Sequence, residues 1–170
     1  NIALENFRFS ENRKYEAVTL SAIGSFYSRL GNWGKALEVQ QKSLEISKKI
    51  SDNESASLML SNLGTTFLRL NEPQKALEVL TESAKISVGR EDIFNEARAL
   101  NLIGNVYEKT GDANRALVYY EQALEKAEKI TENRFVAISL NDLGKAIYIL
   151  GENEKALEFF QKAIETARKN

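Results

Sequence analysis

The sequence predicts an all-α chain of antiparallel helix pairs, and three observations carry that prediction. Gly24, Gly64, Gly104 and Gly144 are each 40 residues apart. Twelve residues beyond each of them stands an Ala-Leu pair: Ala36-Leu37, Ala76-Leu77, Ala116-Leu117 and Ala156-Leu157. Seven residues beyond each come Gly31, Asn71, Gly111 and Gly151. Self-similarity at a fixed period of this length marks one supersecondary unit used repeatedly, with neighbours stacked to bury a continuous core.

Within a repeat, Leu20, Ile23, Tyr27 and Leu30 follow helical spacing, as do Leu60, Leu63, Phe67 and Leu70, which defines a first helix. The 31/71/111/151 column suits the end of that helix, where the backbone turns left-handed at little cost for Gly, with Asn the usual substitute. After a short turn Ala116, Leu117, Tyr120, Ala123, Leu124 and Ala127 form a second stripe, matched by Ala156, Leu157, Phe160, Ala163, Ile164 and Ala167. Pro73, the single proline, falls where the second helix of repeat two should start, a place where a missing N–H and a fixed φ are tolerated. Glycine inside the first helix costs about 1 kcal/mol relative to alanine. We expect the offset to be close helix approach, with the small Ala36-type residue meeting the glycine.

Composition narrows the function. Hydrophobic residues make up 43% of the 170, enough for a real core, and the charged 28% cancel to a net charge of −1. No global field draws the chain to nucleic acid or anionic lipid. With no cysteine and no histidine, thiol and imidazole nucleophiles, thiolate or imidazole metal sites and disulfides are all removed. Carboxylates sit beside lysines at helical spacing, as Glu38 with Lys42 and Glu158 with Lys162, which reads as surface pairing. No glycine-rich phosphate loop is present. The reading is a non-enzyme with no catalytic residues, no cofactor and no metal. No apolar run approaches the ~18 residues of a membrane span, and the first residues lack signal-peptide order, so we expect a cytoplasmic chain without membrane contact.

In repeat three the positions read Leu100, Ile103-Gly104, Tyr107, Ala116, Tyr120 and Ala123, and this pattern resembles the tetratricopeptide repeat over essentially the whole chain. The period is 40 rather than the family's usual ~34. Gln40 replaces a usual aromatic, and the proline expected after the second helix is missing. The long period is similar to the branch that includes kinesin light chain and Pins-like adaptors. The resemblance implies a right-handed superhelical solenoid: a second-helix remnant at 1–15, then repeats at 16–55, 56–95, 96–135 and 136–170. Because the chain opens within a second helix and ends without a polar capping helix, we expect it to be part of a longer protein.

The resemblance also implies that first helices line a concave face. The positions opposite the core stripe are then Val18, Ser21, Ser25, Ser28 and Arg29 and their equivalents. From them we take as peptide-binding candidates Arg29, Thr65, Arg69, Arg98, Asn101, Asn105, Lys109, Asn141, Lys145 and Tyr148. Asn101 and Asn105 are one turn apart and Asn141 repeats the first. An amide offers donor and acceptor to an extended backbone, or it is simply a solvated surface group. Arg29, Arg69, Arg98, Lys109 and Lys145 stand against Glu108 alone, favouring an acidic partner. The family's clamp for a C-terminal carboxylate has its places at Ser21, Ser25, Asn62, Arg98 and Leu102, of which only Asn62 and the positive charge of Arg98 fit, so we do not expect chaperone tails to bind in that manner. Trp33 reads as local packing.

The function expected is a protein–protein interaction scaffold binding a peptide or partner domain, including another domain of the same chain. The alternative is a regulatory or sensor arm of a larger signalling protein with an attached effector domain. RNA binding is disfavoured by few groove aromatics and the slightly acidic charge. Phe160 and Ile164 at the last edge also point to end-to-end self-association.

Overall fold

The computed structural model describes residues 2–130 and 133–169, and every described element is helical: α1 (Ile2–Arg29), α2 (Trp33–Lys49), α3 (Asn53–Arg69), α4 (Pro73–Gly89), α5 (Ile93–Lys109), α6 (Ala113–Lys129), α7 (Asn133–Ile149) and α8 (Asn153–Ala167). The chain forms two compact units, Asn1–Ile86 and Ser87–Asn170. In the first, α1 packs on α2 and α2 on α3; in the second, α5 packs on α6, α6 on α7 and α7 on α8.

The turns follow from local chemistry. Gly31, Asn71, Gly111 and Gly151 have φ of 72°, 62°, 84° and 87°, the left-handed conformation expected of that column. The residue after each then donates its N–H back five residues, Asn32 to Tyr27, Glu72 to Phe67, Asp112 to Tyr107 and Glu152 to Ile147. In two of these turns the same residue caps the next helix: the side chains of Asn32 and Asp112 accept from the backbone N–H of Lys35 and Arg115. One residue thus closes a helix and opens its neighbour, so the linking turn can be only three residues long. Asp52 and Asp92 do the same after Ser51 and Glu91, non-glycine residues held at φ 57° and 56°. Helix α4 begins at Pro73, as the missing N–H allows.

Three expectations are corrected. The helical glycines chiefly meet a residue larger than the Ala36 type, although Gly24 also approaches the Ala36 carbonyl, 3.5 Å from where its Cβ would lie. A Cβ on Gly24, Gly64, Gly104 or Gly144 would lie 2.5–2.7 Å from the side chain sixteen residues on: Gln40, Leu80, Tyr120 and Phe160. The bare backbone is a socket for one large side chain, which explains why the second helices carry a bulky residue there. Second, no turn separates a 1–15 segment from the first helix of repeat one, because α1 runs unbroken for 28 residues. Residues 11–16, Glu-Asn-Arg-Lys-Tyr-Glu, contain no Gly or Pro to stop a helix, and Arg13 pairs with Glu16 at 2.6 Å along it. Third, part of the expected core stripe is exposed at the outer helices. Ile23 and Leu30 of α1 are 41% and 64% exposed, and Leu157 and Ile164 of α8 are 57% and 52% exposed. Each of these helices buries only the faces toward its neighbours, so one apolar edge remains uncovered among the described residues. Phe160, by contrast, is half-buried against the core of its unit.

The two cores differ in chemistry. In the first unit Ser43 and Ser47 are fully buried, Ser43 donating to the Ala17 carbonyl at 2.6 Å and both hydroxyls lying near Met59 Sδ. Ser83 repeats the arrangement, donating to the Ser57 carbonyl at 2.7 Å. In the second unit the equivalent positions are Ala123 and Ala127, and the core is Ala116, Tyr120, Leu143, Ala146, Ile147 and Ala156.

Candidate functional site: the first-helix face of the second unit

Helices α5 and α7 place their candidate residues in two groups. The first gathers at Asp142, which is 7% exposed. Asn101 donates from Nδ2 to Asp142 Oδ2 at 3.2 Å, joining α5 to α7. Asn141 donates to Oδ1 at 3.2 Å, and Lys145 Nζ reaches the same oxygen at 2.8 Å. Asn101 is itself 5% exposed, so its amide works between helices and satisfies a buried carboxylate. A related arrangement lies one turn along: the Tyr120 hydroxyl donates toward Asn105 Oδ1 at 2.7 Å and Glu108 Oε2 at 2.9 Å. Burial first, and then the Glu108 carboxylate, push the Tyr120 phenol well above its ordinary range, so it stays a proton donor.

The second group is a cleft at the N-terminal ends of α5 and α7, lined by Phe94, Arg98, Arg134, Phe135 and Ile138. The Phe94 and Phe135 rings meet at 5.7 Å with a tilt of 50°. Arg98 is half-buried, and that burial lowers its guanidinium pKa. Among the described residues no carboxylate lines the cleft. Beside it, Asp92 caps α5 and Glu96 pairs with Lys126 of α6 at 2.7 Å. Phe94 lies one turn before Arg98, and Arg134 one turn before Ile138. A face read from 98 and 138 onward therefore begins one turn too late, and spacing alone could have found this cleft.

The remaining candidates lie at the helix ends. Tyr148 is 62% exposed near the end of α7, and Lys109 is exposed at the end of α5. In the first unit Arg29 is exposed at the end of α1, and Thr65 donates back to the Ser61 carbonyl at 3.2 Å. Arg69 is placed over the Trp33 ring at 5.9 Å, a cation–π contact that gives Trp33 a local partner. The surplus of positive charge is smaller than the sequence suggests, because Lys145 is paired to Asp142, a residue outside the face as first read.

Among the described residues no group of three or more Asp, Glu, His or Cys is placed to hold a metal ion, and no helix is long and apolar enough to cross a membrane. What the repeated helix pairs define is a helical-repeat interaction scaffold. The tetratricopeptide repeat model matches residues 15–87 and again 95–169, and the chain belongs to that family. No curated protein sequence matches the chain significantly. Solved structures that share the fold include BtubC from P. vanneervenii, with TM-score 0.78 at 22% identity, covering 90% of this chain and 63% of that one. Aspartyl phosphate phosphatase F from Bacillus subtilis matches with TM-score 0.85 at 18% identity, over 92% of this chain and 41% of that one. The nearly identical repeats of a putative kinesin light chain from Podosopora anserina match with TM-score 0.75 at 17% identity, over 92% of this chain and 77% of that one. The chain thus spans less than two thirds of the first of these and under half of the phosphatase.

Proposed function

We propose that the first-helix face of α5 and α7 receives an extended segment of a partner protein. The observation that carries this is the composition of the face: Phe94, Ile138, Tyr148 and Ile149 are 42%, 41%, 62% and 56% exposed, interspersed with Arg98, Arg134 and Lys109. A helix face that served only solvation would carry alternating Glu and Lys instead. The pairs Asn101–Asp142 and Tyr120–Asn105 brace the helices beneath, which limits the ordering entropy lost on binding. Asn105 has its Oδ1 engaged by Tyr120, which leaves its Nδ2 hydrogens to donate to a peptide carbonyl.

A second reading, a regulatory arm of a larger signalling protein, is supported by the phosphatase likeness, in which the matched region covers 41% of a longer chain. The partner segment would then belong to another domain of the parent.

The test is panning of a displayed peptide library against the purified chain, with Tyr148→Ala/Asn141→Ala as the control. Both side chains lie on the face without bridging to another helix, so the control keeps its fold. Enrichment of extended sequences that the control loses supports the reading. Enrichment that the control retains places binding on another surface.

A further inference from the structure

We propose that the edge formed by α7 and α8 in one copy of this chain takes the exposed stripe of α1 in a second copy, joining copies head to tail. The proposal does not rest on the peptide-binding reading, which concerns the face of α5 and α7.

The chain already makes such a joint within its second unit, where α6 packs on α7. On α6 the stripe is Ala116, Tyr120, Ala123, Leu124 and Ala127. Ala116 and Tyr120 share a buried cluster with Leu143, Ala146 and Ile147 of α7, and Leu124 packs against it. Forty residues on, α8 carries Ala156, Phe160, Ala163, Ile164 and Ala167, the same order of small and large side chains. The last four of these line an open groove with Ala137 and Asn141 of α7. The surface with which α6 holds a first helix is thus repeated on α8 with no helix laid on it among the described residues, and Ile164 is exposed where Leu124 is half-buried.

The occupant follows from register. Met59, Leu63 and Thr66 of α3 are buried, as are Ser139, Leu143 and Ala146 at the same places in α7. They meet the second helix before them: Thr66 donates to Gln40 of α2 at 2.8 Å, and Leu143 and Ala146 cluster with Tyr120 of α6. In α1 these places hold Thr19, Ile23 and Phe26, all exposed, and exposed Tyr15 and Leu30 extend the stripe in both directions. A first helix with a bare outer face and a second helix with a bare outer edge therefore match in register. Phe26 is larger than Thr66 or Ala146 and would lie on the Phe160 ring, so the joint between copies is wider at that level than the one inside the chain. Where Phe94 of α5 meets Phe135 of α7 at 5.7 Å, the corresponding residues between copies are Arg134 and Tyr15, a guanidinium beside an exposed ring. Covering Ile23, Phe26, Leu30, Leu157 and Ile164 removes large apolar surface from water. Because the two patches differ, the contact is heterologous and each added copy leaves an edge for the next.

The test is sedimentation velocity of the whole chain over a concentration series reaching the millimolar range, for the parent, Ile23→Glu and Ile164→Glu. Both isoleucines are exposed in the single copy, and unchanged thermal melts would verify that the variants fold. The proposal predicts that the parent's average mass rises with concentration and passes beyond the dimer. Each variant alone should associate about tenfold more weakly or less, because its glutamate would be buried in the joint without a partner. An equimolar mixture of the two variants should regain a dimer and stop there, since the intact α8 edge of Ile23→Glu meets the intact α1 stripe of Ile164→Glu. A parent that stays monomeric throughout overturns the proposal. A parent that stops at the dimer overturns it too, by marking a two-fold contact. Association that survives either substitution, or a mixture that stays monomeric, overturns the pairing of these two surfaces.

Discussion

Tyr120 occupies the space that a Cβ on Gly104 would need: the nearest ring atom lies 2.5 Å from that position, and the ring is fully buried. The contact joins α6 to α5 within one helix pair. It makes the glycine a packing residue rather than a flexible one. Gly104→Ala should therefore destabilise the second unit by about 1–3 kcal/mol, because overpacking a rigid ring exceeds the gain in helix propensity. Gly104→Leu should be worse.

Gly34 gives the opposite sign. It lies in α2, and an added Cβ there would have nothing within 4 Å. Gly34→Ala should stabilise by up to ~1 kcal/mol through propensity alone. Thermal or urea melts of the two alanine variants check the pair, and equal shifts would refute the socket.

Asp142 holds Asn101, Asn141 and Lys145 together in a nearly buried setting. Asp142→Ala leaves the Asn101 amide buried without its acceptor, a cost of about 1–3 kcal/mol. Asn101→Ala should also lower stability, whereas Asn141→Ala should lower it less. Denaturant midpoints of the three variants test this order. A peptide-binding loss in Asn101→Ala would report the helix junction rather than a ligand contact.

The raised pKa of the Tyr120 phenol has a definite sign. Its proton is held more tightly in the folded state than in the unfolded chain, whose phenols titrate near 10.0. The stability this contributes is fully present below pH 10.0 and is lost as pH rises above it, where the unfolded state releases the proton first. Stability measured across the alkaline range should fall more steeply for the parent than for Tyr120→Phe. The Phe variant should be about 1 kcal/mol less stable at neutral pH, having lost the bonds to Asn105 and Glu108.

Ser51 and Glu91 adopt the left-handed backbone conformation without being glycine, at a cost of roughly 1 kcal/mol each. Ser51→Gly and Glu91→Gly should each leave stability unchanged or raise it by up to ~1 kcal/mol, the relief being partly offset by the freer unfolded chain. Gly111→Ala, at φ 84°, should lower it. Calorimetric midpoints distinguish these directions.

The repeat, the helix pairs and the left-handed column were all legible in the sequence because each rests on local periodicity. Gly31 and Asn71 announce themselves by residue type, whereas Ser51 and Glu91 have the same backbone with no such mark. The glycine socket was half legible: close approach was implied, but the partner is a large residue sixteen positions on, set by how α5 and α6 cross. Asp142 was missed because its partner Asn101 is 41 residues away, and no period shows that an off-face carboxylate turns toward a face amide. Phe94 and Arg134 were missed for a simpler reason. The face was begun one turn late, where the core stripe rather than the helix start set the frame.

The account turns on whether the α5 and α7 face takes a ligand. The most direct measurement is amide chemical-shift mapping of the isotope-labelled chain, titrated with an extended peptide enriched by panning. Shifts are expected along the exposed α5 and α7 face, around Phe94, Asn105, Ile138, Asn141 and Tyr148, and should saturate together. Shifts confined to α6 and α8, or no shifts at saturating peptide, would contradict it.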